Sequence, residues 1–191
     1  MKRHLLILAT LCVALLLPSM SHARQVYFGD VSLSFVKGHP RRIVNKKLKT
    51  ELTFDREGHM LSKTVNGKPV KFVTERDSRG LPVRVGFNSE IMGTGGNEHT
   101  FAEDGALLEM RCVNAAGKLI YRRVYTYDSD RNCTGYIELM RGEVTPAVID
   151  DSDRRRVLYK TLESDPHGNV LKRQICSLLL DTEEEYEIEY Y

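Results

Sequence analysis

Apolar residues fall at every second position along most of this chain, and few stretches repeat at the three-to-four spacing of a helix. Val31, Leu33 and Phe35 alternate with Ser32 and Ser34. Leu48, Thr50, Leu52 and Phe54 alternate with charged or polar neighbours, and Val83, Val85 and Phe87 do the same. An alternation of period two places one set of side chains on a buried sheet face and the other in water. Further strand-like runs are Leu107–Val113, Leu119–Tyr127, Tyr136–Met140, Val157–Leu162, Val170–Leu180 and Tyr186–Tyr190. Arg154–Leu162 has some helical character, but Val157, Tyr159 and Thr161 fit a strand better. The expected class is all-β, an antiparallel meander of successive hairpins forming a curled, repeat-built sheet.

A short pattern punctuates these runs: an acid or Asn, two variable residues, Gly, then an apolar residue. It occurs as Asp55-Arg56-Glu57-Gly58, Asp77-Ser78-Arg79-Gly80, Asn114-Ala115-Ala116-Gly117 and Asp165-Pro166-His167-Gly168. Asp or Asn at the first turn position accepts a backbone N–H two residues on, and Gly at the fourth takes the positive φ that closes a hairpin. Tyr127-Asp128-Ser129-Asp130-Arg131 keeps the start and loses the Gly, while Glu103-Asp104-Gly105 reads as a shortened copy. Asn66-Gly67 signals a two-residue hairpin. Tight turns make each strand the neighbour of the next.

An aromatic-Asp-x-x-Gly-x-apolar unit recurring about every 20 residues resembles the Rhs/YD-repeat family of bacterial secreted and cell-surface proteins. Phe54-Asp55-Arg56-Glu57-Gly58 and Asp165-Pro166-His167-Gly168-Asn169-Val170 match most closely, within a stretch from Glu51 to Leu180. The units diverge, with Arg76 and Ser164 in place of the aromatic and Arg131 in place of the Gly. In large members such repeats build a shell around a toxin or display an adhesive surface. This chain is too short for such a shell, so the resemblance implies architecture: a curled repeat sheet of an exported bacterial protein.

Residues 1–23 read as a cleaved secretory signal. Lys2 and Arg3 precede an apolar stretch from Leu5 to Leu17, Pro18 breaks it, and Ser21-His22-Ala23 supplies small residues for cleavage. About 13 apolar residues are fewer than the roughly 20 that span a bilayer. A single domain over 24–191 is expected, exported to the periplasm or outside the cell, with no transmembrane segment after cleavage.

Cleavage removes Lys2 and Arg3 and no acid, so 28 basic against 26 acidic side chains becomes 26 against 26. No overall basic footprint remains, and no nucleic-acid partner is expected. Charge is uneven all the same. Lys37–Lys49 holds six Lys or Arg and no acid, and Asp181–Glu189 is almost purely acidic. These runs are either solvated, paired across neighbouring strands, or in head-to-tail contact between molecules.

Of the cysteines beyond residue 23, Cys112 and Cys133 fall at opposite ends of the Leu119–Tyr127 strand, roughly 30 Å apart at about 3.3 Å per residue, too far for a disulfide. Pairing with Cys176 stays open. No C-x-x-C, H-x-H or H-E-x-x-H spacing is present, each turn supplies one carboxylate, and no metal or other cofactor is expected. The Gly-rich stretch Met92–Glu98 lacks the Gly-Lys-Ser/Thr of a phosphate loop and reads as a loop or wide hairpin end. His39, His59, His99 and His167 read as surface histidines. No catalytic residue is assigned.

The feature most suggestive of binding is aromatic. Tyr121, Arg123, Tyr125 and Tyr127 share one face of their strand, either as a platform for a glycan or peptide or as half of a core whose hydroxyls reach the rim. A lipid-facing barrel is disfavoured, because Arg122 and Arg123 put charge on both faces. The functional expectation is an exported non-catalytic β-repeat protein that binds a glycan or envelope protein or stiffens the envelope. The alternative is a secreted hydrolase of cell-wall or dietary polysaccharide.

Overall fold

The computed structural model describes residues 26–89, 93–140, 156–177 and 181–191. Residues 1–23, read above as a secretory signal, and Met92 and Leu178–Leu180 lie outside them. Thirteen strands follow in order: β1 Pro40–Asn45, β2 Thr50–Phe54, β3 Met60–Val65, β4 Lys68–Pro69, β5 Val73–Arg76, β6 Pro82–Ser89, β7 Gly93–Phe101, β8 Leu107–Asn114, β9 Leu119–Tyr127, β10 Cys133–Met140, β11 Arg156–Ser164, β12 Val170–Cys176 and β13 Asp181–Tyr190. They form one antiparallel sheet in the order β4-β3-β2-β1-β13-β12-β11-β10-β9-β8-β7-β6-β5. Each strand pairs with its sequence neighbour except at one place. β13 returns to pair with β1, and the sheet opens instead between β4 and β5.

That permuted opening dictates the shape. Twelve strand spacings of about 4.8 Å make an arc of roughly 58 Å. Yet the edge strands β4 and β5 are joined by only Val70, Lys71 and Phe72, four Cα steps that reach at most about 15 Å. The sheet must curl until its edges nearly meet, giving an open barrel with a seam.

The repeated turns gather at one end of this barrel. The turns after β2, β5, β7, β9 and β11 share one hydrogen-bond pattern. In each, the first residue's N–H donates to the carbonyl four residues on, and the fourth residue's N–H returns to the first carbonyl: Asp55 with His59 and Gly58, Asp77 with Leu81 and Gly80, and Asp165 with Asn169 and Gly168. This is the three-residue hairpin with a left-handed bulge residue. Asn114 and Gly117 build the same turn after β8, at the opposite end. Each first-position carboxylate or amide accepts backbone N–H groups inside its own turn, as Asp165 does from His167 and Asn169.

Two units deviate, and the deviations meet. The stretch read as a shortened copy is a full turn with Ala102 in first position, which leaves the Asp104 carboxylate at the third position. Arg131 takes the glycine's place at φ 64° and donates its guanidinium to Asp104, Nη2 to Oδ1 at 2.6 Å. Burial pushes the Asp104 carboxyl up, but the Arg131 hydrogen bond and charge and the Ala106 N–H outweigh it and hold it below its ordinary 3.8. The resulting stability is complete above pH 3.8 and is lost as pH falls through the lower folded-state value. Urea melts of Arg131→Met should show a shallower loss of stability as pH falls below about 4 than wild type; parallel curves would rule the pairing out as a source of acid sensitivity.

The segment before β1 roofs this end. The expected strand Val31–Phe35 is instead a 3-10 helix, Gly29–Ser34. The segment crosses the strand ends rather than running beside a strand, so no backbone ladder is offered to it, and it satisfies itself locally. Ser32 Oγ donates to the Gly29 carbonyl at 2.7 Å, and Phe35 turns left-handed at φ 58°. It reaches every turn of that end. Asp30 N–H donates to Gly58, Val26 and Tyr27 N–H to Asp104, and the Tyr27 hydroxyl to the Arg131 carbonyl. Asp30 also receives Arg76 beside the second turn, and Lys37 exchanges two hydrogen bonds with Asn169 in the fifth. Val31 and Val36 enter the core with Ile43 and Phe54, against Leu52, Met60, Tyr186 and Ile188.

The two charged runs are adjacent strands. Ile43 faces Ile188 inside, and outside Arg42 bridges Glu189 at 2.8 Å and Glu51 at 2.6 Å while Lys46 bridges Glu185 at 2.5 Å. The ladder continues round the outer face with Lys172–Glu183, Arg122–Glu109 and Arg111–Glu98. A lipid-facing barrel needs an uninterrupted apolar band there; these strands carry ion pairs instead. No helix among the described residues is long and apolar enough to cross a membrane. Cys112 faces Tyr121 and Cys133 faces Tyr127 across β9, six residues and about 20 Å apart, with both thiols free. The Gly-rich stretch read as a loop is the strand β7 from Gly93 onward. Gly95 is there for packing: a Cβ on it would lie 2.3 Å from the Val113 carbonyl and 3.0 Å from the Phe87 ring.

Candidate functional site

The inner face of the sheet carries an unusual amount of polar chemistry. On β9 the odd-numbered residues Tyr121, Arg123, Tyr125 and Tyr127 all point inward. Tyr125 packs on Phe35 of the roof at 5.1 Å between ring centroids and on Tyr136 at 5.8 Å, and Tyr127 packs edge-on to Tyr27. The Arg123 guanidinium lies over Tyr121 and Tyr136, 4.9 and 4.7 Å from the ring centroids, and donates to Glu138 at 2.7 Å. A second unit of the same design stands beside it, with Tyr159 of β11 packed on Tyr136 at 6.1 Å between ring centroids. Arg173 lies 3.9 Å over the Tyr159 ring and donates to Glu184 at 2.7 Å, whose carboxylate also accepts the Tyr186 hydroxyl. The Tyr ladder is therefore a wall of the interior, reachable only from the concave side. Burial pushes the Tyr125 hydroxyl up to about 12, against the lowering effect of Arg123, so these phenols are neutral hydrogen-bonding groups.

Beside this wall, under the roof and behind the seam, lies a cavity of about 260 Å³. Leu33 and Ser34 close it from above. Leu52, Met60 and Lys63 line it from β2 and β3, and Val70, Lys71 and Phe72 line it from the linker that spans the seam. Val85 and Phe87 of β6, Asn97 and His99 of β7, Leu107 and Met110 of β8 and Tyr125 of β9 complete it. The two flanks come from opposite sides of the seam and meet only because the sheet curls.

Three polar side chains give the cavity its chemistry. Lys63 stands opposite Leu52 and, unlike the inward arginines Arg123 and Arg173, has no acid beside it among the described residues. Burial lowers its amine below the ordinary 10.5. Asn97 has a fully buried Oδ1 with no hydrogen-bond partner among the described residues; leaving such an acceptor unsatisfied costs about 1–3 kcal/mol. His99, read as a surface residue, is 9% exposed. Its Nδ1 lies 2.8 Å from the Pro82 carbonyl, which can only accept, so Nδ1 carries the proton and Nε2 of the neutral ring is an acceptor. Burial lowers its pKa, more than the Pro82 carbonyl and Asp30 raise it. The other histidines are engaged nearer the surface: His59 with Asp55, His39 against Phe28 and His167 against Tyr190.

Asp30 holds the seam. Its side chain is fully buried, and Oδ2 accepts the Met60 N–H of β3 at 2.7 Å and Arg76 of β5 at 2.5 Å. One carboxylate thus clasps both edges at the turn end, while the Val70–Phe72 linker joins them farther along. Between these two fastenings no strand ladder joins β3 to β5.

The turn residues Asp55, Gly58, Asp77, Gly80, Asn114, Gly117, Asp165 and Gly168 sit in hairpin ends and do not converge on the cavity. Among the described residues no group of three His, Cys, Asp or Glu side chains is placed to hold a metal. Nothing in the sequence marked Lys63 or Asn97. Lys63 lies in a run, Met60-Leu61-Ser62-Lys63-Thr64-Val65, with no clean alternation, and the glycines around Asn97 hide β7.

No protein-family model matches the chain, and no curated protein sequence matches it. Among solved structures it is similar to a porin-like protein from Bacteroides uniformis, with 10% identity, 78% of this chain and 96% of that one covered, and a TM-score of 0.42.

Proposed function

We propose that this chain is an exported, non-catalytic binding protein of the bacterial envelope that holds a small, mainly apolar molecule inside its open barrel. The supporting observation is the cavity itself: aliphatic and aromatic walls, a few polar groups facing in, a roof and a seam. Small-molecule sites commonly have this make-up, apolar lining with sparse convergent polar groups. Export and an envelope location rest on the reading of residues 1–23 and on the likeness of the turn units to YD repeats. The alternative hydrolase would need two carboxylates around a cleft; among the described residues the cavity lining supplies none.

A one-ring neutral probe tests the reading. A cavity of about 150 Å³ holds benzene, so 260 Å³ admits a ring with a short tail. In ligand-observed NMR, 4-propylphenol should bind the wild-type protein. Val85→Phe, which fills part of the cavity, should weaken that binding at least 10-fold with the far-UV spectrum unchanged. Absence of wild-type binding, or equal binding by Val85→Phe, would refute the cavity as the site.

A further inference from the structure

We propose that the ligand is a small monocarboxylate with a ring-sized apolar body and one hydrogen-bond donor, its carboxylate paired with the Lys63 ammonium and its donor given to Asn97 Oδ1. This rests on the cavity being the binding site. The interior elsewhere follows a rule: Arg123 is paired with Glu138 and Arg173 with Glu184. Lys63 departs from it, a cation lining the cavity with no acid among the described residues to neutralise it. Lys71 lines the same cavity from the exposed linker and adds a second positive charge, so the local field favours an anion. Across the cavity the vacancy is of the opposite kind. Asn97 Oδ1 is a fully buried acceptor with no partner among the described residues, and a donor in the cavity would reach it through a rotation of the Asn97 side chain. Between them lie Leu52, Met60, Val85, Phe87 and Met110, which offer an apolar body dispersion contacts and no hydrogen bonds. A cation on β3, an acceptor on β7 and an apolar span between them specify an amphipathic acid.

The volume sets its size. With 150 Å³ enough for benzene, about 260 Å³ suits a ring carrying a three-carbon acid, roughly a dozen non-hydrogen atoms. An aromatic acid of this kind with a ring hydroxyl has all three parts.

Calorimetric titration of the protein with 3-(4-hydroxyphenyl)propanoate, its uncharged amide and 3-phenylpropanoate separates the parts. The hydroxylated acid should bind at least 10-fold more tightly than the amide, and several-fold more tightly than the acid lacking the hydroxyl. Lys63→Met should abolish the preference for acid over amide, and Lys63→Arg should restore most of it. In the absence of ligand Lys63→Met should melt about 2–4 °C higher, because a half-buried charge with no acid beside it among the described residues has gone. Asn97→Leu should erase the preference for the hydroxyl and leave the preference for acid. Equal binding of acid and amide by the wild type, or unchanged acid preference in Lys63→Met, would overturn the assignment even while 4-propylphenol still binds. Failure of 4-propylphenol itself would remove the cavity as a site and the assignment with it.

Discussion

Asp30→Ala is expected to lower the unfolding free energy by about 3–5 kcal/mol, the range for removing one partner of a buried charged pair. The Asp30 carboxylate is inaccessible to water, yet it answers two donors that belong to opposite edges of the sheet, the Met60 N–H and the Arg76 guanidinium. Removing it leaves the amide without its acceptor and the arginine without its counter-charge, and it takes away the carboxylate that, among the described residues, joins β3 to β5 there. Asp30→Asn keeps the shape and an acceptor for Met60 but not the charge, so it should lose roughly half as much. Denaturant melts give both numbers. A further readout is specific to the seam: in Asp30→Ala, amide exchange should quicken first at β3 and β5 and leave β9 and β10 protected. A loss under about 1 kcal/mol, or exchange that quickens uniformly, would show that the clasp does not hold the edges.

Gly105→Ala and Gly117→Ala should differ several-fold in cost although the two residues occupy the same place in the same kind of turn. Both are left-handed, at φ 85° and 73°, so both substitutions carry the conformational penalty of about 1 kcal/mol for a side chain in that region. At Gly117 a Cβ would meet nothing within 4 Å, and the penalty should stop there. At Gly105 the same atom would lie 2.4 Å from the Tyr27 carbonyl, an impossible approach to backbone. Relief requires lifting Tyr27 from the turn, and with it the two N–H groups that donate to Asp104. A total loss of about 3 kcal/mol or more is expected, in the range of overpacked and strained core sites. Equal losses at the two positions would mean that the roof is not seated on the turns.

The hairpin ends were the most legible part of this sequence. Asp, Asn and Gly act on their own turn, within five residues, so the chemistry of Asp77 or Asn114 can be read without knowing the fold. The Leu119–Tyr127 strand was equally plain, because its alternation is strong at both ends. Val31–Phe35 misled for the converse reason. Its alternation is real, but a strand also needs a partner, and whether one is present depends on where the chain travels. β1 was hidden by its charge, since Arg41, Arg42 and Lys46 read as a solvated run until Glu185 and Glu189 stand opposite them. That pairing was among the readings open from charge alone, but its register was not. The cavity was least legible, as Lys63 and Asn97 are separated by three turns of the meander and come to line one cavity only because the sheet curls. Lys63 is a residue that local physics disfavours and that a ligand would justify, a pattern expected of functional positions.

The return of β13 to β1 also fixes the order in which the sheet can be finished. β1–β4 can pair among themselves, as can β5–β12, but the strand that unites the two groups is synthesised after all the others. Its partner β1 lies some 140 residues earlier in the chain, so the decisive contacts are among the most distant the sequence offers, and long-range pairing of this kind is slow to form. Until it forms, β1 and β12 present bare edges that invite pairing with other chains. A chain assembled in this way is kept from its native state until β13 emerges, so its folding follows the completion of the sheet rather than accompanying its synthesis.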